Sequence, residues 1–134
     1  RASAGAVPAA PGPSLVWVGN ISRYAMGAKI LNHADFGDGL LDVCIYECSS
    51  RLCVLKHTFM TLLKHHVGSR GVKYRQGRNI VVSSTSDCVL SEMDGDPGPG
   101  LPVEIEVIPH AVNVMVPENA KPAGIRTRIV RAIG

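Results

Sequence analysis

Short β-prone runs closed by turn residues constrain this chain more than any other feature. They fall at 15–19, 41–46, 72–75, 79–83, 89–94, 103–108 and 111–116. Gly77, the Pro97-Gly98-Pro99-Gly100 cluster and Pro109-His110 separate the later ones. Glycine and proline in such places fix backbone angles that a strand cannot continue through. Several short strands at roughly ten-residue spacing suggest an antiparallel sandwich or barrel.

One stretch breaks the pattern. Ser49 or Ser50 can cap a helix, and Leu52, Leu55, Phe59, Leu62, Leu63 and His66 follow at helical spacing as one apolar stripe. Lys56, His57, Thr61 and Lys64 fall on the other face, and Gly68 ends the helix. The expected fold is mainly β: an antiparallel β-sandwich with one inserted α-helix near residues 50–66. Residues 20–42 read as a long loop with one short strand near Lys29-Ile30-Leu31.

At 134 residues and 46% hydrophobic composition, the chain has material for one modest core. No run approaches the ~18 apolar residues of a membrane-spanning helix. Fourteen Lys and Arg against eleven Asp and Glu give a net charge of +3, too mild to argue for nucleic acid. The sequence opens on Arg1 and an Ala/Pro/Gly-rich segment without an apolar core, unlike a secretory signal. It reads as a piece of a longer polypeptide cut inside a loop. The expected organisation is a flexible segment 1–14, a β-domain 15–117 and a basic tail 118–134. In that tail Lys121, Arg126, Arg128 and Arg131 interleave with Ile125, Ile129 and Ile133. Such a segment packs on a missing part of the protein, frays, or touches anionic lipid.

Cys44, Cys48, Cys53 and Cys88 form no C-x-x-C pair, and the histidines do not complete a zinc pattern. The cysteines read as free thiols in a reducing, cytoplasmic setting, with Cys44 and Cys53 as small core residues. His57, His65 and His66 read as helix-capping or exposed side chains.

Two acidic constellations bear chemistry. Asp35-Phe36-Gly37-Asp38-Gly39 spells the protein-kinase magnesium tripeptide, but the chain has neither an HRD loop nor an APE motif. What remains is an Asp/Gly turn before a strand, or a turn whose carboxylates and carbonyls hold a hard cation. Glu92-Met93-Asp94-Gly95-Asp96 places three acids in five residues at a strand end. Its spacing fails the EF-hand pattern. Alternation along a strand would set the three acids on one face. The stretch is a solvated hairpin turn, or a site where crowded carboxylates favour a base.

The order of the pieces is more specific than any one of them. Trp17-Val18-Gly19-Asn20, Arg23-Tyr24, and Asp38-Gly39-Leu40-Leu41-Asp42-Val43 come first. Gly71-Val72-Lys73-Tyr74, Met93-Asp94-Gly95-Asp96-Pro97, residues 102–109 and residues 112–117 follow. Over about residues 15–117 this resembles the C-terminal half of the diacylglycerol kinase catalytic family, which includes sphingosine and ceramide kinases.

The resemblance implies a two-domain lipid kinase. An N-terminal α/β domain with a GGDGT-type motif would bind ATP, and no such motif occurs in this chain. The β-sandwich would shape the lipid pocket and supply a catalytic acid. The resemblance also implies a structural Mg²⁺ held by the carbonyls of Asp35 and Leu40 and the Asp38 carboxylate. It makes Asp96 the proton acceptor for a lipid hydroxyl attacking the γ-phosphate of ATP. The implied partners are a lipid of diacylglycerol, sphingosine or ceramide type and the nucleotide-binding domain, with peripheral membrane contact and no nucleic acid. Two departures stand out. The family has Glu where this chain has Asp96, and glycines where it has Ala25-Met26-Gly27-Ala28. Both leave open a non-catalytic lipid-binding or regulatory module of a pseudo-kinase.

Overall fold

The computed structural model describes residues 12–24, 28–63, 66–86, 89–109, 111–112 and 115. Among them the elements run β1 (Ser14–Gly19), β2 (Leu41–Glu47), α1 (Arg51–Leu62), β3 (Val72–Gly77), β4 (Asn79–Val82), β5 (Glu92–Met93), β6 (Asp96–Pro97) and β7 (Val103–Glu106). The fold is mainly antiparallel strand with a single helix, as the spacing implies. Segments 1–11, 25–27 and 116–134, with His65 and Cys88, lie outside the described residues.

Three sheets form. The largest has the order β1-β2-β3, β4 pairs with β7, and β5 pairs with β6, all antiparallel. Central strand β2 is an almost unbroken apolar run because it is covered more fully than its neighbours: Leu41, Val43, Cys44 and Tyr46 are all buried. Register places Trp17, Cys44 and Tyr74 in one row and Leu15, Tyr46 and Val72 in the next. Ile30 and Leu31 complete the core with Cys44 and Tyr46. The short strand expected near Lys29–Leu31 does not form. Those residues pack as a loop, stapled by Tyr24 N–H to the Ala28 carbonyl at 2.8 Å.

Strand ends differ from expectation where turns intrude. Residues 89–91 are not strand, and β5 keeps only two residues because the Asp94-Gly95 turn follows at once. Strand β7 stops at Glu106, and residues 111, 112 and 115 of the expected last strand are irregular.

Helix α1 begins as expected, with Ser50 Oγ accepting the Cys53 N–H at 3.3 Å. It ends at Leu62, earlier than expected, and Gly68 with φ +86° belongs to the following turn. The expected apolar stripe is turned outwards: Leu52, Leu55, Phe59, Leu62 and Leu63 are exposed. Buried instead are His57 and Thr61 from the polar face. The inward face meets a polar group of the sheet. Tyr46 needs a hydrogen bond for its buried hydroxyl and finds Thr61 Oγ1 at 2.9 Å. His66 is not on the helix. It is fully buried, 2.7 Å from the Ile30 carbonyl through Nε2, and stacked on Tyr46. The surface reading of His57 and His66 is thus corrected.

A second buried network ties β2 to β3. Asp42 is wholly buried and accepts hydrogen bonds from Tyr74 Oη at 2.5 Å and Gln76 Nε2 at 3.1 Å. Tyr74 Oη in turn accepts the His33 N–H at 3.2 Å. Burial first, and then the Asp42 bond, hold the Tyr74 phenol well above its ordinary 10.0. Burial does the same to Tyr46, against a smaller opposing effect of its Thr61 bond. The unfolded chain ionises these phenols near pH 10 while the folded chain resists. Their contribution is therefore fully present below about pH 10 and is lost as pH rises beyond it. Thermal unfolding should shift to lower temperature above pH 10, and Tyr74→Phe should flatten that alkaline slope. An unchanged slope in Tyr74→Phe would contradict the buried-phenol account.

Candidate functional site

The acidic stretch is a tight hairpin. Asp94 (φ +52°) and Gly95 (φ +96°) form a two-residue connection with both central residues in the left-handed region. Such a turn matches the right-handed twist of the ribbon, and aspartate and glycine are among the residues that tolerate it. Met93 faces Asp96 across the ladder and Glu92 faces Pro97. Directly opposed residues share a face and neighbours alternate, so Glu92 and Asp96 point to opposite sides. The expected one-faced row of three acids does not exist, because the turn interrupts the strand between them. Glu92, Asp94 and Asp96 are all exposed. The tip is braced from behind: Gly98 N–H donates to the Ser91 carbonyl at 2.9 Å, and Ser91 Oγ donates to the Pro99 carbonyl at 2.5 Å. A Cβ at Gly98 would fall 2.4 Å from Ser91 Oγ. Asp96 thus stands on a short, braced ribbon with its carboxylate in solvent. Glu92 Oε1 instead meets Tyr24 Oη at 3.5 Å.

The other acidic loop is a pair of side-chain-stabilised turns. Asp35 Oδ1 accepts the Gly37 N–H at 2.9 Å, and Asp38 Oδ1 accepts the Leu40 N–H at 2.8 Å. The Asp35 carbonyl accepts the Asp38 N–H at 3.3 Å, and Gly39 supplies φ +71°. The loop that carries Asp35, Asp38 and Leu40 offers oxygen donors of carboxylate and carbonyl type. That set suits a hard cation, with Asp38 Oδ2 directed to no hydrogen bond among the described residues.

Between α1 and the first sheet lies an apolar cavity of about 160 Å³. Leu15, Trp17 and Tyr46 of the sheet and Ile30 of the preceding loop form one wall, and Val54, His57, Thr61 and Leu62 the helix wall. It is smaller than the ~300–1,000 Å³ of a drug-sized ligand pocket, and suits part of an alkyl chain. No sequence signal located it, since it exists only because α1 turns its polar face inward.

Comparison with known proteins follows the same lines. The family model described as the YegS C-terminal NAD kinase beta sandwich-like domain matches residues 4–116. Two relatives from strains of Mycobacterium tuberculosis, each named "Diacylglycerol kinase", are 33% identical to this chain over 102 residues. That match covers 75% of this chain and 32% of each relative. The chain therefore spans about a third of the length of the curated relatives it matches.

Proposed function

The chain belongs to the family of YegS C-terminal NAD kinase β-sandwich-like domains, and from that premise we propose that it is the substrate side of an ATP-dependent lipid kinase. The observation that carries the reading is the braced Asp94-Gly95 hairpin, which presents Asp96 at a sheet rim. It occurs in a chain 33% identical to proteins named for diacylglycerol phosphorylation.

In this reading the Asp96 carboxylate takes the proton of a lipid hydroxyl while that oxygen attacks the γ-phosphorus of ATP. The bond to the β,γ-bridging oxygen breaks and ADP leaves. Phosphoryl transfer otherwise needs mainly positioning and charge neutralisation, and the nucleotide half of the full-length protein holds the ATP. The cavity beside Trp17 and Leu62 takes part of an acyl chain. Its walls reject water and leave the hydroxyl end outside. The exposed stripe of α1, with Arg51 and Lys56 beside it and no acid on the helix, is the face that meets an anionic membrane carrying such a substrate. Among the described residues no helix is long and apolar enough to cross a membrane.

Asp38 and the carbonyls of Asp35 and Leu40 would hold Mg²⁺, which would brace the loop entering β2. An ion bound only by the folded state stabilises it by mass action. Millimolar Mg²⁺ should therefore raise the melting temperature of the full-length protein, and Asp38→Ala should abolish that rise. A rise that persists in Asp38→Ala would place the ion elsewhere.

A second reading, a non-catalytic lipid-binding or regulatory module, is favoured by the two departures from the resemblance: Asp96 is a methylene shorter than the acid it implies, and Ala25-Met26-Gly27-Ala28 stands where it implies glycines. A phosphorylation panel of diacylglycerol, sphingosine and ceramide with the full-length protein separates the two. Turnover of any of them supports the kinase. ATP binding without turnover of any of them favours the module.

A further inference from the structure

Cysteine spacing alone offers no metal motif, yet folding collects one. Cys48 follows β2, and Cys53 and His57 lie one turn apart on the inner face of α1. The sulfurs of Cys48 and Cys53 and one ring nitrogen of His57 lie within 4.8 Å of one another. It is the one such cluster of His, Cys, Asp or Glu among the described residues. We propose that Cys48, Cys53 and His57 form a binding site for a thiophilic divalent cation, with Zn²⁺ as the reference ion.

Three observations converge. The first is chemistry: two thiolates and an imidazole are a zinc donor set, and three protein ligands leave a fourth position for water or a small ligand. The second is distance. With Zn–S near 2.3 Å and Zn–N near 2.0–2.1 Å, a tetrahedral ion holds its ligands about 3.5–3.8 Å apart. The cluster needs to contract by about 1.3 Å at most to reach that geometry. The third is an unpartnered group. His57 is 4% exposed, and its Nδ1 is buried without a hydrogen-bond partner among the described residues. A buried polar nitrogen in that state is costly, and a metal bond is one way to satisfy it.

The surroundings are already arranged for the ligands. Cys53 is in the first turn of α1, where the aligned backbone N–H groups favour negative charge. Its Sγ lies 3.4 Å from the Glu47 carbonyl and its N–H is held by Ser50. The Cys48 N–H donates to the Pro13 carbonyl at 2.9 Å, which fixes that residue beside β1. Opposite the ring, Gly71 has φ +86°, and a Cβ there would lie 3.6 Å from His57 Nε2. The ring is wedged against Tyr46 with centroids 5.4 Å apart. Cys48 and His57 also line the cavity under α1. An ion there would clasp the start of α1 to the end of β2 and set its fourth position beside that cavity.

The test uses the full-length protein in a phosphine reductant, with Zn²⁺ titrated against a chromophoric chelator and Co²⁺ as a spectroscopic substitute. The expected result is one ion per chain, a thiolate-to-cobalt charge-transfer band, and protection of Cys48 and Cys53 from alkylation by one equivalent of Zn²⁺. Cys48→Ser, Cys53→Ser and His57→Gln should each weaken binding by more than ~100-fold, since loss even of an outer partner costs 10–100-fold. His33→Ala, at an exposed histidine, should leave it unchanged. Both sulfurs are partly exposed, so the serine variants should keep the unmodified circular dichroism, and the test survives a His57→Gln that fails to fold. Binding that persists in the Cys48→Ser/Cys53→Ser double variant overturns the site. So does alkylation of both thiols at an unchanged rate with Zn²⁺ present.

Discussion

Asp96→Asn in the full-length protein should lower kcat for lipid phosphorylation by about 10²–10⁴-fold, the usual worth of a general base, while ATP affinity barely changes. The substitution keeps size and hydrogen bonding but cannot accept the proton. The side chain is exposed on a braced two-residue hairpin, so folding should be untouched and the loss should lie in chemistry. Asp96→Glu is the more informative partner. A displacement of about 1 Å can cost orders of magnitude in rate, so a longer acid should preserve or raise turnover if Asp96 is short of its target. Near-normal turnover in Asp96→Asn would move the role to Asp94 or to Glu92, which points to the other face.

The largest stability effect should come from Asp42→Ala. Asp42 is wholly buried, and both Tyr74 Oη and Gln76 Nε2 donate to its Oδ1. Removing the acceptor strands the half-buried Tyr74 hydroxyl at about 1–3 kcal/mol, while the exposed Gln76 amide can turn to water. The unfolding free energy should fall by about 1–3 kcal/mol in urea titration. Asp42→Asn keeps an acceptor oxygen in the same place and should cost much less. Equal losses in the two variants would mean that charge, and not the hydrogen bonds, holds the site.

Much of this was legible from residues alone, for reasons that differ by element. Strands β1, β2 and β3 were visible because a β-prone apolar run bounded by turn residues has few alternatives. The cap at Ser50 was visible because only a few residue types satisfy the first helical N–H groups. The inward face of α1 was not. Periodicity counts apolar residues but cannot know that Tyr46, 15 residues from Thr61 in sequence, needs a hydroxyl partner there. The same blindness hid the cavity and the approach of Cys48 to Cys53 and His57. One signal for the latter was available: Cys53 and His57 are four apart on a helix, hence on one face. Asp42, a charge inside an apolar run, was a second such signal. Of the two readings of residues 92–96 the hairpin turn is the one that forms; the alternation that would set Glu92 and Asp96 on one face holds only in a continuous strand, and the Asp94-Gly95 turn interrupts it.

Presentation of a lipid hydroxyl to ATP by this domain is tested most directly by giving the full-length protein γ-labelled ATP, Mg²⁺, diacylglycerol in mixed micelles and an equal concentration of NAD, then following the label. The account predicts label in the organic phase as a lipid phosphomonoester, abolished by Asp96→Asn, with none on the dinucleotide. Label on NAD, or release of inorganic phosphate with unlabelled lipid, would contradict it.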